Sequence, residues 1–220
     1  MSAMPMFIVL LAFALGGVLG GRIVGRFKGV DLTEAGSGNI GATNALRTQG
    51  TAFALMVLLI DAGKGVVAAL LLPRLAPELP ALPFICGAAA VLGHCFSPWH
   101  GFNGGKGVAT LAGVFAALVP EAFGWMLFAF VLTVLLTGIV SLATLFGALV
   151  ALLVVTCFST AGVFSPGGAF VLSMLLLVLL THRDNWQRLL AGRESRFEKA
   201  RLLGRALQLP PLGIDKRSAT

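Results

Sequence analysis

Charged residues are scarce in this sequence. They make up 11% of its 220 residues, whereas hydrophobic residues make up 57%. Ordinary soluble domains have about 25% charged and roughly 45–50% apolar residues. Because so few polar side chains cannot cover a folded surface in water, the composition excludes an ordinary soluble protein. We expect an all-α integral membrane protein, since helices satisfy their own backbone hydrogen bonds in lipid.

Cysteine pairs and acidic clusters are also lacking. Cys86, Cys95 and Cys157 lie in or beside apolar runs without paired spacing, which is more typical of small core residues than of a metal or redox set. No group of acidic residues is spaced to hold magnesium. The sequence therefore predicts neither a metal nor a cofactor.

Two glycine-rich stretches look like nucleotide-binding loops but fail the tests for them. Residues 36–41 read G-x-G-x-x-G, yet a long apolar run precedes them, instead of the strand that a dinucleotide fold requires. The stretch "NGGKGVAT" at 103–110 has His100 where a Walker loop needs its first glycine, and Gly107 where it needs Ser or Thr. Neither stretch predicts a nucleotide site.

Long apolar runs dominate the rest of the chain. Several approach the roughly 20 helical residues that cross a hydrocarbon core. Pro120 separates two short runs. The apolar pattern by itself would also allow these two runs to form one bent helix. The candidate segments lie at about 6–25, 51–72, 81–98, 108–119, 122–137, 140–158 and 168–182.

Basic residues decide how many of these segments cross the membrane, because Lys and Arg collect in cytoplasmic loops. They cluster at 22–28, at Arg47, at Lys106 and after His182, while Arg74 lies in a loop on the other side. An even number of crossings must then lie between Lys106 and His182. Four short helices fit, which predicts seven transmembrane helices with the N-terminus outside and the C-terminus in the cytoplasm.

This topology predicts a single helical membrane domain over 1–182, with cytoplasmic motif loops at 26–50 and 99–107, and a basic tail over 183–220. Leucines alternate with arginines in the tail, so part of it should lie on the headgroups as an amphipathic helix. The net charge of +7 is explained by basic residues that face anionic headgroups. We therefore expect membrane lipids as partners, and no nucleic acid.

Three polar clusters on the predicted cytoplasmic side indicate phosphate binding. Glycines allow consecutive backbone N–H groups to face one anion, and Arg47 and Lys106 supply positive charge. One such loop is more often a turn than a site, but three on one face are harder to explain as turns. The clusters are "GSGNIGATNALR" at 36–47, "GHCFSPWHGFNGGKGVAT" at 93–110, and "HRDN" at 182–185 with Glu194 close behind.

Asp61 and Lys64 lie three residues apart within an apolar segment, where an unpaired charge is costly. We expect them to pair with each other, and help from Lys64 at an anion site is the alternative. His94 and His182 are candidates for proton transfer. His182 is favoured because Asn185 follows it by one helical turn.

The three clusters also resemble a known family. "SGNIGATN", "GHCFSPWHGFNGGKGVAT" and "HRDNWQRLLAGRE" are similar to the cytoplasmic motifs of the bacterial acyl-phosphate:glycerol-3-phosphate acyltransferases, the PlsY family. The resemblance runs from about residue 7 to residue 197. It implies a seven-helix enzyme of the bacterial inner membrane with its active site at the cytoplasmic face. Such an enzyme transfers a fatty acyl group from acyl-phosphate to the 1-hydroxyl of glycerol-3-phosphate, giving lysophosphatidic acid and phosphate in the first step of phospholipid synthesis.

The clusters and the resemblance together give the candidate site. Four residues are expected to be catalytic: Ser37, Lys106, His182 and Asn185. Ten are expected to bind substrate: Asn39, Thr43, Asn44, Arg47, His94, Gly104, Gly105, Gly107, Ser141 and Glu194.

The chemistry of an acyl-phosphate, a mixed anhydride with a good leaving group, favours direct attack by the glycerol-3-phosphate hydroxyl. Catalysis can then rest on orientation and charge stabilisation without a covalent intermediate. The proton goes to His182 or to the departing phosphate, and the sequence leaves both open. The expected partners are the two substrates, and an enzyme that produces acyl-phosphate is a candidate partner.

An anion transporter or channel is the rival hypothesis, because glycines and cations at a pore mouth could also select phosphate. A transporter should place its polar groups near the midplane, whereas these clusters lie at one face. A purely structural membrane protein is the remaining alternative.

Overall fold

The computed structural model describes residues 3–158, 162–210 and 212, and all regular structure within these ranges is helical. This confirms the all-α prediction for the described residues. The α-helices are α1 (Met4–Gly16), α2 (Gly20–Lys28), α3 (Ala42–Gln49), α4 (Thr51–Leu70), α5 (Leu82–Cys95), α6 (Val108–Leu118), α7 (Pro120–Thr137), α8 (Val140–Phe158), α9 (Pro166–Thr181), α10 (Arg183–Leu190) and α11 (Leu202–Ala206).

Five segments of the described chain are long and apolar enough to cross a membrane. A sixth results if α9 and α10, which meet at a 59° bend, are counted together. Helix α6 is apolar but has 11 residues, a length of about 16 Å. Seven crossings and the orientation of the termini therefore stay predictions. The five segments are Met4–Lys28, Thr51–Leu75, Leu82–His100, Pro120–Thr137 and Val140–Phe158.

Proline and glycine set several helix boundaries. Pro120 begins α7 directly after α6 ends at Leu118, so the two short apolar runs are separate helices. Helix α7 ends at Thr137 and is followed by Gly138, whose φ of 72° is left-handed, as is common at helix C-termini. Ser165 caps α9 by accepting a hydrogen bond from the Gly168 N–H at 2.9 Å.

The first apolar segment, expected as one helix over 6–25, is broken between α1 and α2. Leu19 has extended backbone angles, so neighbouring peptide groups lack partners within the helix. The Val18 carbonyl accepts a hydrogen bond from Lys64 Nζ at 2.6 Å, and the Gly20 N–H donates one to Asp61 Oδ1 at 3.0 Å. Side chains of α4 thus satisfy the backbone at the break.

Close helix packing fixes the position of α6 beside α4. An added Cβ on Gly65 would lie 2.3 Å from the Thr110 carbonyl oxygen, and one on Gly113 would lie 2.1 Å from the Ala62 carbonyl oxygen. Small residues allow helix backbones in membranes to approach this closely. On the opposite side of α6, Phe115 packs in an apolar cluster with Ala151 of α8 and Val171 of α9.

The segment after α10 returns to the turn between α7 and α8. The Phe197 N–H donates to the Gly138 carbonyl at 2.8 Å, and Arg201 Nε donates to the Leu136 carbonyl at 3.3 Å. Helix α11 has five residues and places Gly204 directly against the Leu136 carbonyl. The expected amphipathic helix on the headgroups stays a prediction.

Candidate functional site

The second and third polar clusters meet through Lys106. This residue lies in the loop before α6, and its Nζ donates a hydrogen bond to Asn185 Oδ1. Asn185 is buried in the first turn of α10, and its Nδ2 donates to Glu194 Oε1 at 2.5 Å. Residues separated by 79 positions are thus joined in one polar network.

Glu194 connects this network to two further side chains. Ser141, near the start of α8, donates through Oγ to Glu194 Oε1 at 2.7 Å. Arg188 Nε donates to Oε2 at 2.8 Å. Burial raises the pKa of Glu194, but hydrogen bonds from Asn185, Ser141 and Arg188 outweigh it, so the net pKa lies below the ordinary value. Glu194 is therefore a carboxylate at neutral pH.

Arg188 was not among the residues predicted from the sequence. It lies three positions after Asn185 in α10, and side chains three apart share one helical face. This spacing was the available signal, but the many arginines of the tail obscured it.

Burial also affects Lys106, which is partly enclosed. Burial lowers its pKa below the ordinary value of 10.5, and the positive charge of Arg188 lowers it further, while Glu194 and Asp184 act in the opposite direction. Arg188 pairs directly with Glu194 at 2.8 Å, whereas Lys106 reaches this carboxylate through Asn185. Lys106, Arg188 and Glu194 together therefore carry an excess of positive charge. Such an excess suits a phosphate group.

His182 lies between α9 and α10 and is 3% exposed. Its Nδ1 is 2.9 Å from the Val178 carbonyl oxygen. Because a carbonyl only accepts hydrogen bonds, Nδ1 carries a proton in this contact, so Nε2 is the unprotonated nitrogen when the ring is neutral. The ring is thus fixed in a form that can accept a proton at Nε2.

The first cluster forms a loop that its own amides organise. Asn44 is buried, and its Nδ2 donates to the carbonyls of Leu32 at 3.1 Å and Ala35 at 2.9 Å. Its Oδ1 accepts from the Ser37 N–H at 2.9 Å, and Asn39 Oδ1 accepts from the Gly41 N–H at 2.9 Å. Both amides, predicted to bind substrate, are engaged with the backbone. Their contact with substrate stays a prediction.

Three other residues of the first cluster, Ser37, Thr43 and Arg47, are exposed. The Arg47 guanidinium lies 4.8 Å from the centre of the Phe197 ring, a cation–π contact. Phe197 was not predicted as a site residue. The contact brings the first cluster next to the chain that follows Glu194.

The glycine loop before Lys106 packs directly on His94. The Gly105 N–H donates to the His94 carbonyl at 3.0 Å. A Cβ added to Gly104 would lie 1.9 Å from the His94 carbonyl oxygen, and a Cβ added to Gly105 would lie 2.4 Å from His94 Nε2. Gly107 has a left-handed φ of 76° where α6 begins. His94 thus packs against the loop, and its contact with substrate stays a prediction.

Among the described residues, no three His, Cys, Asp or Glu side chains are grouped to hold a metal ion. Cys86 and Cys95 are buried free thiols, and Cys157 is exposed.

A protein-family model described as "Glycerol-3-phosphate acyltransferase" matches residues 6–192. The match covers most of the chain and includes Lys106, His182 and Asn185. The chain belongs to this acyltransferase family. Membership agrees with the resemblance of the three sequence clusters and establishes an acyltransferase as the class of enzyme.

Members of the glycerol-3-phosphate acyltransferase family in several bacteria are similar over most of their length. The protein of Anaeromyxobacter dehalogenans (strain 2CP-C) is 40% identical over 193 residues, which cover 86% of this chain and 95% of that protein. The protein of Aquifex aeolicus (strain VF5) is 35% identical over 194 residues, which cover 87% and 98%. Both carry the family's name.

Two solved structures share the fold. Both are crystal structures of PlsY (YgiH), an integral membrane glycerol 3-phosphate acyltransferase. The glycerol 3-phosphate form has a TM-score of 0.82 and 34% identity, and the lysophosphatidic acid form has a TM-score of 0.80 and 33% identity. Each comparison covers 90% of this chain and 98% of the other. The protein is thus an all-helical integral membrane acyltransferase.

Proposed function

We propose that the protein transfers a fatty acyl group from acyl-phosphate to the 1-hydroxyl of sn-glycerol-3-phosphate, giving lysophosphatidic acid and phosphate. The observation that carries this proposal is the network of Lys106, Asn185 and Glu194 beside a buried His182. Family membership supports glycerol-3-phosphate as the acceptor. The resemblance of the motifs to the PlsY family supports acyl-phosphate as the donor.

In the proposed reaction, the 1-hydroxyl oxygen forms a bond to the acyl carbon while the bond from that carbon to the phosphate oxygen breaks. The hydroxyl proton goes to His182 Nε2 or to the departing phosphate. Because phosphate is a good leaving group, orientation and charge stabilisation suffice, and no cofactor takes part.

The polar residues of the site have different roles in this proposal. Lys106 and Arg47 bind substrate phosphate, and Arg188 adds a third cation that the sequence did not indicate. Asn185 aligns the Lys106 ammonium, and Glu194 holds Asn185 through its Oε1. Direct binding of substrate by Glu194 is less favoured, because both of its oxygens already accept hydrogen bonds.

The proposed location is the bacterial inner membrane, with the site at the cytoplasmic face. The basic residues of the loops at 26–50 and 99–107 and of the tail support this orientation. A water-soluble acceptor would then enter from the cytoplasm, and the acyl chain of the donor would lie among the apolar helices. An enzyme that produces acyl-phosphate stays a candidate partner.

The test uses purified protein with glycerol-3-phosphate and palmitoyl-phosphate, and mass spectrometry detects the product. We expect lysophosphatidic acid with palmitoyl-phosphate, and far slower formation with palmitoyl-CoA because the chain has no recognised nucleotide site. Equal rates with both donors would contradict the proposed donor. Phosphate flux into proteoliposomes without any acyl donor would instead favour the transporter.

A further inference from the structure

A separate group of buried polar side chains lies among the helices, and the proposed chemistry does not use it. It consists of Asp61 and Lys64 on α4, His94 on α5 and Thr110 on α6, which are 1%, 6%, 3% and 0% exposed. Ionisable residues within apolar helices are costly and call for partners or a function. Asp61 and Lys64 form the expected pair at 2.9 Å, but their contacts extend further.

One side of this group stabilises the break between α1 and α2. Asp61 and Lys64 bond to the Gly20 N–H and the Val18 carbonyl described above. Unpaired backbone groups cost several kcal/mol in a lipid environment, and these two contacts remove that cost. The carboxylate and the ammonium are thereby held in fixed positions relative to three helices.

The other side of the group orients His94. Lys64 Nζ lies 2.8 Å from His94 Nδ1, and an ammonium only donates hydrogen bonds. Nδ1 is therefore the unprotonated nitrogen, and Nε2 carries the proton. Thr110 Oγ1 lies 3.2 Å from the same nitrogen. Asp61 acts on the ring through Lys64, since its Oδ1 lies 2.9 Å from Lys64 Nζ. The Lys64 contact thus determines both the tautomer and the direction of the ring.

The oriented His94 then supports the loop that carries Lys106. Its carbonyl accepts from the Gly105 N–H at 3.0 Å. Its Nε2 occupies the space that a side chain on Gly105 would need, and its carbonyl oxygen does the same for Gly104. The backbone of the two residues before Lys106 therefore rests on His94.

We propose that Asp61, Lys64 and His94 are positioning residues for Lys106. The pair on α4 orients the His94 ring, His94 fixes the backbone of Gly104 and Gly105, and this backbone directs the Lys106 ammonium toward Asn185 and the substrate phosphate. The inference rests on the proposed function, because that function makes Lys106 a phosphate ligand.

The test uses His94→Asn in the full-length protein. The asparagine Oδ1 can still accept a hydrogen bond from Lys64, so the buried charge keeps a partner, but the ring atoms that support Gly105 are lost. We expect glycerol-3-phosphate binding, measured by isothermal titration calorimetry, to weaken about tenfold, which is roughly 1.4 kcal/mol. His94→Gln provides a second variant, which keeps an amide near Gly105 and should lose less affinity.

A double-mutant cycle with Lys106→Met separates positioning from general destabilisation. If His94 acts through Lys106, His94→Asn should weaken binding less than twofold when Lys106 is already absent. A tenfold loss in both backgrounds would overturn the inference. So would unchanged binding in folded His94→Asn protein.

Gly63→Ala is the matched control, because Gly63 neighbours Lys64 on α4 and a Cβ there meets no atom within 4 Å. It should leave binding unchanged and should not lower the melting temperature, since alanine forms helices better than glycine. Failure of the wild-type protein to form lysophosphatidic acid would reject the proposed function. If the wild-type protein is active but the effects of His94→Asn and Lys106→Met on binding are additive, the positioning inference is rejected and the proposed function is retained.

Discussion

Two buried asparagines show how the same side chain can serve a loop or a reaction site. Asn44 bonds to backbone groups of its own loop, so its contacts determine the shape of that loop. Asn185 bonds instead to the charged side chains of Lys106 and Glu194. The first residue should therefore matter for stability and the second for the reaction.

Replacing each asparagine with alanine tests this distinction. Asn185→Ala removes a charge-assisted hydrogen bond of about 1.5–3 kcal/mol, so kcat/KM should fall roughly 10- to 150-fold. Asn44→Ala leaves three backbone groups without their partner, at about 1–3 kcal/mol each, so it should chiefly lower the melting temperature. Kinetics and thermal melting of both variants measure the two effects, and the reverse assignment would refute the distinction.

The pH dependence of glycerol-3-phosphate binding should report on Lys106. The charged ammonium binds phosphate, and burial places the pKa of Lys106 below 10.5. Affinity should therefore be lost as the pH rises through this lowered pKa. Lys106→Arg should move the loss to higher pH, since a guanidinium stays charged to above about pH 12, although its geometry weakens binding overall. The KM for glycerol-3-phosphate, measured from neutral pH to about pH 10 in both proteins, checks this prediction. The same rise of KM with pH in both proteins would contradict it.

The sequence indicated many of the residues that meet at the site, but not all of their partners. Lys106, Asn185 and Glu194 were recognisable because polar groups are rare in an apolar chain. Phe197 was not, since its contact with Arg47 depends on the return of the tail to the turn at Gly138. Such a long-range path leaves no local spacing pattern.

At the scale of elements, the sequence located the helices better than their interruptions. The expected segments at 81–98 and 168–182 became Leu82–Cys95 and Pro166–Thr181. The break after Gly16 was missed because glycines in membrane helices also serve close packing. Only the partners on α4, about 40 residues away, show that the backbone opens there.

Close packing of α4 against α6 gives a prediction for Gly113. A Cβ at this position would lie 2.1 Å from the Ala62 carbonyl oxygen, so Gly113→Ala must separate the helices and should cost about 1–3 kcal/mol. Gly124→Ala is the control, because a Cβ there meets no atom within 4 Å. Thermal melting should show a lower midpoint for Gly113→Ala alone. Equal midpoints would mean that the helices tolerate the extra methyl group.

At the scale of the whole molecule, the topology determines which substrates can reach the network. The basic-residue distribution predicts that the loop at 26–50 lies on the cytoplasmic side and residues 73–80 on the opposite side. The helix lengths alone do not determine the number of crossings or the orientation, since α6 is short and α9 bends into α10. Orientation therefore needs a direct measurement.

Cysteine labelling in intact cells provides that measurement. Glu34 and Glu78 are both exposed, so Glu34→Cys and Glu78→Cys can be compared after the three native cysteines are replaced by alanine. A membrane-impermeant maleimide should modify position 78 and spare position 34 until the cells are lysed. The opposite pattern would invert the proposed orientation.

The break between α1 and α2 also has a consequence for biogenesis. The Val18 carbonyl and the Gly20 N–H obtain their partners from residues 46 and 41 positions later, which are synthesised after the first segment. Until α4 is made, these two backbone groups lack their side-chain partners. We therefore expect the first segment to reach its broken form only after the second has been synthesised.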